Sequence, residues 1–458
     1  MSENGLKHAQ EKMRGDGLPE ASIKVFTDYY HQLESGQTGL IREDSIEPLL
    51  DPPMLEDVEI DDAAARAAFD QTVIIKLNGG LGTSMGLDRA KNLLPVRDGL
   101  TFLDIIVRQV LSAREKYGAR LPLLFMNSFR TAEDTEAALS QYDNLPVDGL
   151  PLGFLQSREP KLLADTLEPV EWPADPSLEW CPPGHGDLYI ALSASGILDR
   201  LVEAGYRYAC VANGDNLGSA PNPRLAGWFA QSGAPYAAEV CRRTVNDRKG
   251  GHLAIRKADN QLILRDTAKT APEEMDFFTD EHRHPFFHTN NLWFDLRVLQ
   301  RTLRERDSVL GLPMIRNEKT VDPADKTSPK VVQIESAMGA AVEVFEGATA
   351  ICVGRDRFQP VKTTNELLLL RSDLYELDAD YLLQATTDHP VEVSLDGDYF
   401  KLVGDFDERM PDPVSLRRAE SFTVKGDWRF GKDVSVEGEV LLETQEPASV
   451  DDGTVLRG

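Results

Sequence analysis

The sequence is poor in cysteine, poor in positive charge and without a long apolar run. Its four cysteines, Cys181, Cys210, Cys241 and Cys352, are isolated from one another and show no metal-ligand spacing. That excludes a disulfide framework and a cysteine-built metal centre, and leads us to expect reduced core thiols in a cytoplasmic protein. Lysine and arginine number 49 against 76 aspartates and glutamates, a formal charge of −27. Such a surface argues against nucleic acid or an anionic membrane as the main partner. No stretch approaches the roughly 20 apolar residues of a membrane span. The opening Met1-Ser2-Glu3-Asn4-Gly5 has neither the basic nor the apolar part of a signal peptide. What remains is a chain of 458 residues, 41% hydrophobic, which is enough for a large core and two or three domains.

The most informative stretch runs Lys76-Leu77-Asn78-Gly79-Gly80-Leu81-Gly82-Thr83-Ser84-Met85-Gly86, with Lys91 a few residues on. It follows the β-branched run Val73-Ile74-Ile75, so it reads as a glycine-rich loop leaving a strand. Backbone N–H groups of such a loop can crowd around phosphate oxygens, and glycine removes the Cβ that would block the approach. The loop lacks the Gly-Lys pair of a P-loop. It also lacks the third glycine of the dinucleotide fingerprint. A tight strand-to-helix turn with no ligand is the plain alternative.

Along the chain, residues 1 to about 70 are polar and acidic with helical patches, at Ser22 to Leu33 and Asp61 to Phe69, joined by a proline-containing link. From about Gln71 the pattern becomes strand, helix, strand. Val73–Leu77 reads as a strand. Thr101 reads as the N-cap of an amphipathic helix with Asp104 three residues on and Gly118 at its end, and Leu121–Met126 as the next strand. A second unit follows: one helix from about Asp187 to Glu203, Gly205 as its stop, and a strand at Tyr206–Ala212. This alternation predicts a mostly parallel sheet with helices on both faces. Leu253–Arg256 and Gln261–Leu264 read as a hairpin inserted in that sheet. After about Asp378 the character changes. Residues 421–440 alternate apolar and polar side chains with recurrent glycine, a strand–turn repeat compatible with a β-helix. We therefore expect three parts: residues 1–70, 71–377 and 378–458.

Two residues carry candidate chemistry on their own. Asp215, in Ala212-Asn213-Gly214-Asp215-Asn216, follows a buried strand, where open α/β sheets bind ligands. A carboxylate there suits Mg²⁺, although a turn-forming aspartate would look the same. Lys362 lies in a loop before a helix and by itself reads as a surface lysine. Because the overall charge is acidic, any polyanionic substrate requires local positive potential. Lys76, Lys91, Arg355, Arg357 and Lys362 are the residues expected to focus it in a cleft.

Leu77-Asn78-Gly79-Gly80-Leu81-Gly82-Thr83-Ser84-Met85-Gly86 resembles the signature of the eukaryotic-type UTP–glucose-1-phosphate uridylyltransferases. Met126-Asn127-Ser128-Phe129, Pro183-Gly184-His185-Gly186-Asp187, Thr289-Asn290-Asn291-Leu292-Trp293, Gln333-Ile334-Glu335-Ser336-Ala337 and Pro360-Val361-Lys362-Thr363-Thr364 resemble further blocks of that family, in the same order. One departure is Asp88-Arg89-Ala90-Lys91, where the family usually has Gly-Pro-Lys. The resemblance implies a Rossmann-like, GT-A-like α/β nucleotidyltransferase domain with a mostly parallel, mixed sheet. It also implies a C-terminal left-handed β-helix that could mediate homo-oligomer assembly. By the same resemblance Leu77, Asn78, Gly79, Gly80, Lys91, Gln156, Gly184 and Lys362 bind the nucleotide, with Gln156 and Gly184 at the uracil. His185, Asn213, Asp215, Asn290 and Glu335 bind the sugar phosphate, Lys362 and Lys91 are catalytic, and Asp215 holds Mg²⁺. The implied reaction joins UTP and glucose 1-phosphate. A uridylyltransferase for another sugar 1-phosphate, or a nucleotide-binding regulator without turnover, stays open at this point.

Overall fold

A computed structural model describes residues 2–36, 39–244 and 247–458. At its centre is a seven-stranded sheet. In chain order its strands are β1 (Thr72–Asn78), β2 (Leu123–Asn127), β3 (Gly153–Leu155), β4 (Tyr208–Asn213), β5 (Tyr236–Arg242), β6 (Phe286–Asp295) and β7 (Thr349–Cys352). Their spatial order is β7-β5-β6-β4-β1-β2-β3. β6 runs antiparallel to both its neighbours and every other pairing is parallel, so the sheet is mixed and parallel-rich.

The strand sequences are apolar on both faces because both faces are covered. Val73 and Ile75 of β1 enter one core with Leu124, Met126, Ala209 and Val211, while Ile74 enters the opposite core with Leu123, Phe125 and Cys210. This is the two-residue period of a strand read in three dimensions. The helix Phe102–Tyr117 starts at the expected Thr101–Asp104 capping box and ends at Gly118 in the left-handed region (φ 64°). The four cysteines are free and buried, and no described helix is long and apolar enough to cross a membrane.

Two expectations are corrected. The stretch from Asp187 to Glu203 is not one helix. Leu188–Ala194 and Ile197–Glu203 are separated at Gly196, whose φ of 73° is incompatible with a continuous right-handed helix. The hairpin His252–Arg256/Leu262–Arg265 does not join the central sheet. It forms a separate three-stranded antiparallel sheet with Ile46–Pro48, from the segment read as an irregular link. The buried Arg265 guanidinium fixes that arrangement by pairing with Glu43 and, at 2.6 Å, with Glu274.

The C-terminal part stacks its strands in parallel. Ser415–Lys425 lies between Glu392–Leu395 and Ser435–Glu443, and the latter continues to Val455–Arg457. Ser415 pairs with Ser435 and Ser435 with Val455, a spacing of 20 residues each time. Phe422, Val424, Phe430, Val436 and Val440 fill the interior, in the same apolar cluster as Phe102, Leu94 and Leu367. A small hairpin, Tyr375–Leu377 with Leu383–Ala385, bridges residue 378. The core is thus continuous between the stacked strands and the sheet domain. Replacing the fully buried Phe422 with alanine should therefore lower the unfolding free energy by about 3–5 kcal/mol. Urea denaturation followed by tryptophan fluorescence and circular dichroism checks this.

Candidate active site

The loops leaving the carboxyl ends of β1, β3 and β4 meet those of residues 183–187 and 353–362. Gly79, Gln156 and Gly184 form a slot. Gln156 Nε2 donates to the Gly184 carbonyl at 3.3 Å, and Gln156 N donates to the Asn127 carbonyl at 2.7 Å. A Cβ on Gly79 would lie 2.7 Å from Gln156 Oε1. At Gly184, φ is 77° and an added Cβ would sit 2.8 Å from Ser336 N, so conformation and space both demand glycine. Gly80 differs: a Cβ there would meet nothing within 4 Å, so the scaffold gives no reason for its glycine and leaves room for a ligand.

Leu77 and Asn78 act within the scaffold. The Leu77 carbonyl accepts from Gly214 N at 3.0 Å, tying the loop after β4 to β1. Asn78 Nδ2 donates to Asn127 Oδ1 and Thr135 Oγ1, both at 2.7 Å, and its carbonyl accepts from Thr131 Oγ1 at 2.7 Å. Lys91 opens a 3-10 turn, and its N–H donates to the Gly80 carbonyl at 3.1 Å, so the altered residues before it leave the lysine over the loop.

The second half of the site centres on Asp215. Its Oδ2 lies 2.7 Å from Lys91 Nζ, which also donates to the Val361 carbonyl. Its Oδ1 is buried with no hydrogen-bond partner. Val361 N donates to the Asp215 carbonyl at 3.2 Å, and Asn216 bridges to Pro360 in antiparallel fashion. The loop that carries Lys362 is therefore laced to the loop that carries Asp215. Lys362 itself is exposed. It precedes the helix Thr364–Arg371, whose capping box of Thr363 and Glu366 ends the loop sharply.

Asn213 and Asn290 meet at 2.9 Å, Asn290 Nδ2 donating. Asn290 sits in a bulge of β6, where Thr289–Asn291 oppose the single residue Glu239 of β5, and its φ is 64°. His185 Nδ1 accepts from Met338 N at 2.9 Å. Burial pulls its pKa down to about 4, so the ring is neutral with Nε2 carrying the proton as a donor. Glu335 is half-exposed, 4.0 Å from Lys319 Nζ and close to the Gly184 turn.

Not every expected cation lines the cleft. Lys76 is buried and donates to Ser219 O at 2.8 Å and Ser219 Oγ at 2.6 Å; burial lowers its pKa to about 8. Arg357, only 5% exposed, forms a two-point ion pair with Glu239 at 3.0 and 2.9 Å. Both residues hold the scaffold, so they are corrected here from cleft charges to structural ones. Arg355 pairs with Asp247 at 2.8 Å. Lys91 and Lys362 remain.

A family model described as UTP–glucose-1-phosphate uridylyltransferase matches residues 23–437. The chain belongs to this family. It is 38% identical over 392 residues to a UTP–glucose-1-phosphate uridylyltransferase of Saccharomyces cerevisiae, covering 85% of this chain and 77% of the relative. For the Hordeum vulgare protein of that name the values are 37% over 398 residues, 86% and 82%. Among solved structures, the UDP-glucose pyrophosphorylase of Leishmania major superposes with a TM-score of 0.91 at 40% identity, covering 99% of this chain and 98% of that one. A UDP-glucose phosphorylase of Trypanosoma brucei gives 0.89 at 39%, covering 99% and 100%.

Within this site, sequence reasoning passed over Glu239. Oε1 accepts from Trp293 Nε1 at 3.0 Å and Oε2 from Asn291 Nδ2 at 3.2 Å, in addition to Arg357. Burial pushes the Glu239 carboxyl up, but the charge and hydrogen bonds of Arg357 outweigh it and the net displacement is downward. Its one sequence signal is an acid inside the apolar strand Tyr236–Arg242. Glu239→Gln, which leaves the Arg357 charge buried and half-paired, should cost about 3–5 kcal/mol in urea unfolding. The double change Glu239→Leu with Arg357→Met should recover most of that.

Proposed function

We propose that this chain transfers the uridylyl group of UTP to α-D-glucose 1-phosphate, giving UDP-glucose and pyrophosphate. The observation that carries the reading is the convergence of a glycine-walled slot (Gly79, Gln156, Gly184) with a cation–carboxylate pair (Lys91, Asp215) on loops fastened to each other. The names of the similar proteins point to the same substrates.

A phosphate oxygen of the sugar phosphate attacks the α-phosphorus of UTP in line. The new P–O bond forms as the bond to the bridging oxygen breaks, and pyrophosphate leaves with that electron pair. The nucleophile is already an anion, so no general base is required, and catalysis rests on positioning and charge neutralisation. In this reading Gln156 and Gly184 hold the uracil, and the Gly80 region gives the phosphates room. His185, through Nε2–H, orients the sugar phosphate with Asn213, Asn290 and Glu335. Lys91 and Lys362 offset charge on the transferring phosphoryl group.

Mg²⁺ fits the donor set. Asp215 Oδ1 is buried and without a partner, and among the described residues no three acidic, histidine or cysteine side chains are grouped to hold a metal. An ion that takes one or two carboxylates, with phosphate oxygens completing its shell, suits such a site; bound there, it would supply further charge neutralisation. We also read residues 1–70, 71–377 and 378–458 as three parts. The 20-residue strand spacing supports a β-helix in the last of them.

The deciding assay is pyrophosphate release from UTP and Mg²⁺ with glucose 1-phosphate, galactose 1-phosphate or N-acetylglucosamine 1-phosphate. Release confined to glucose 1-phosphate is expected. Release with another sugar changes the substrate, and UTP binding without release overturns turnover itself. Lys362→Ala should lower kcat on the order of 10²–10³-fold with UTP binding nearly unchanged. Asp215→Ala should remove most turnover along with its dependence on Mg²⁺ concentration, and Mg²⁺-dependent activity in that variant would count against the assignment.

A further inference from the structure

Behind the slot lies a cavity walled by the helix Glu20–Glu34 and lined on the slot side by Ser157, Glu159, Pro183, Gly186 and Asp187. Asp187 is buried, yet its carboxylate does not cap the helix Leu188–Ala194 that follows it. Oδ2 instead accepts from Ser157 N at 2.6 Å, thirty residues away. The Asp187 N–H donates to the Gly184 carbonyl at 3.3 Å. One residue therefore grips both walls of the slot: Gln156 through its chain neighbour Ser157, and Gly184 directly.

We infer that Asp187 is a positioning residue that sets base selectivity by fixing the orientation of the Gln156 side-chain amide. This rests on the uridylyltransferase reading above. A free glutamine amide can rotate to present either its oxygen or its NH₂ and so has no preference between uracil and cytosine. Here Gln156 Nε2 is tethered to the Gly184 carbonyl, which leaves Oε1 as the group offered to the base. An acceptor matches the N3–H of uracil and opposes the lone pair on N3 of cytosine. The tether works only while Gly184 and the Gln156 backbone keep their separation, and Asp187 spans it, its carboxylate on Ser157 N and its backbone N–H on the Gly184 carbonyl. Burial raises the Asp187 pKa to about 6 and the Ser157 N–H opposes the rise, so the carboxylate is ionised at neutral pH and the bond is charge-assisted.

The test compares kcat/KM for UTP with kcat/KM for CTP at pH 7.5, using the full chain, glucose 1-phosphate and Mg²⁺. Asp187→Ala should lower the UTP:CTP ratio about tenfold, through a higher KM for UTP with kcat within about threefold of the parent. Asp187→Asn keeps an acceptor for Ser157 N and should restore the ratio to within about threefold. If the alanine variant does not fold, Asp187→Ser keeps a polar atom in the cavity but cannot reach Ser157 N, and should show the same loss. An unchanged ratio in a folded Ala or Ser variant overturns the inference. So does an equal fall in kcat for both nucleotides, or an Asn variant no better than Ala. A parent protein that releases no pyrophosphate from UTP would instead overturn the underlying function, so the two failures are distinct.

Discussion

The catalytic half of this molecule hangs on one buried ion pair. Glu239 is fully buried on β5 and Arg357 nearly so, and neither charge could be held there alone. Together they collect four segments. Glu239 fixes Asn291 and Trp293 in β6. The Arg357 backbone carbonyl accepts from Asn216 and Asn291 at 3.1 and 3.3 Å, and Arg357 Nη1 reaches the Ala220 carbonyl at 2.7 Å. The consequence is register. The loop after β4, the bulge of β6 and the loop before Lys362 are assembled around a centre with a preferred geometry, which a greasy contact of equal size would not impose. Well-packed hydrophobic residues often equal such a pair in stability, so geometric specificity is the better account of its role here.

This arrangement recasts the charge problem. A chain of net charge −27 that gathers two polyanions needs cations, but most basic residues near the site are already committed. Arg357 answers Glu239, Arg355 answers Asp247, and Lys76 is enclosed with Ser219 as its partner. Lys91 is bound to Asp215. Among the described residues no carboxylate forms an ion pair with the exposed Lys362 ammonium, and its backbone N–H donates to Glu366 Oε2 at 3.3 Å. Charge neutralisation is thus concentrated in very few groups, Lys91 held by the Val361 carbonyl and Lys362 carried on a loop fastened to that of Asp215, which is the condition under which a single lysine has a large electrostatic effect. The acidic exterior and the cationic interior do not conflict, because exposed charges more than about 10 Å away are largely screened at moderate ionic strength.

Much of this was legible in the residues. The run Val73-Ile74-Ile75 followed by glycines announced a buried strand and its loop, and Thr101 with Asp104 announced a helix start, because both signals are local. The expected residues Gly79, Gln156 and Gly184 do meet, as do Lys91 and Asp215, and Asn213 and Asn290. What stayed hidden was long-range. Gly196 lies in an otherwise acceptable helical pattern, and only the fold shows that the chain turns there. Nothing local marks Ile46–Pro48 as a strand, since its partner lies some 200 residues on. Lys76 and Arg357 looked like cleft charges because an acidic chain with polyanionic substrates needs local cations, and a basic residue beside a loop carries no sign of whether it points toward ligand or scaffold. Glu239 was passed over for the complementary reason: its meaning depends on an arginine more than a hundred residues away.

The site also gathers conformations that an unconstrained chain avoids. Asn290 holds a positive φ in a bulge, and His185 and His288 are kept neutral by burial that draws each pKa to about 4. Each departure costs free energy that must be offset by the surrounding packing. Their concentration around one cleft argues that the cleft is pre-shaped. A pre-shaped slot can distinguish one pyrimidine from another by the orientation of a single amide, because the protein has already given up the freedom that would let that amide adapt. In the proposed reading, rigidity behind the slot, in the cavity walled by the helix Glu20–Glu34 and Asp187, is part of recognition even though nothing there touches the base.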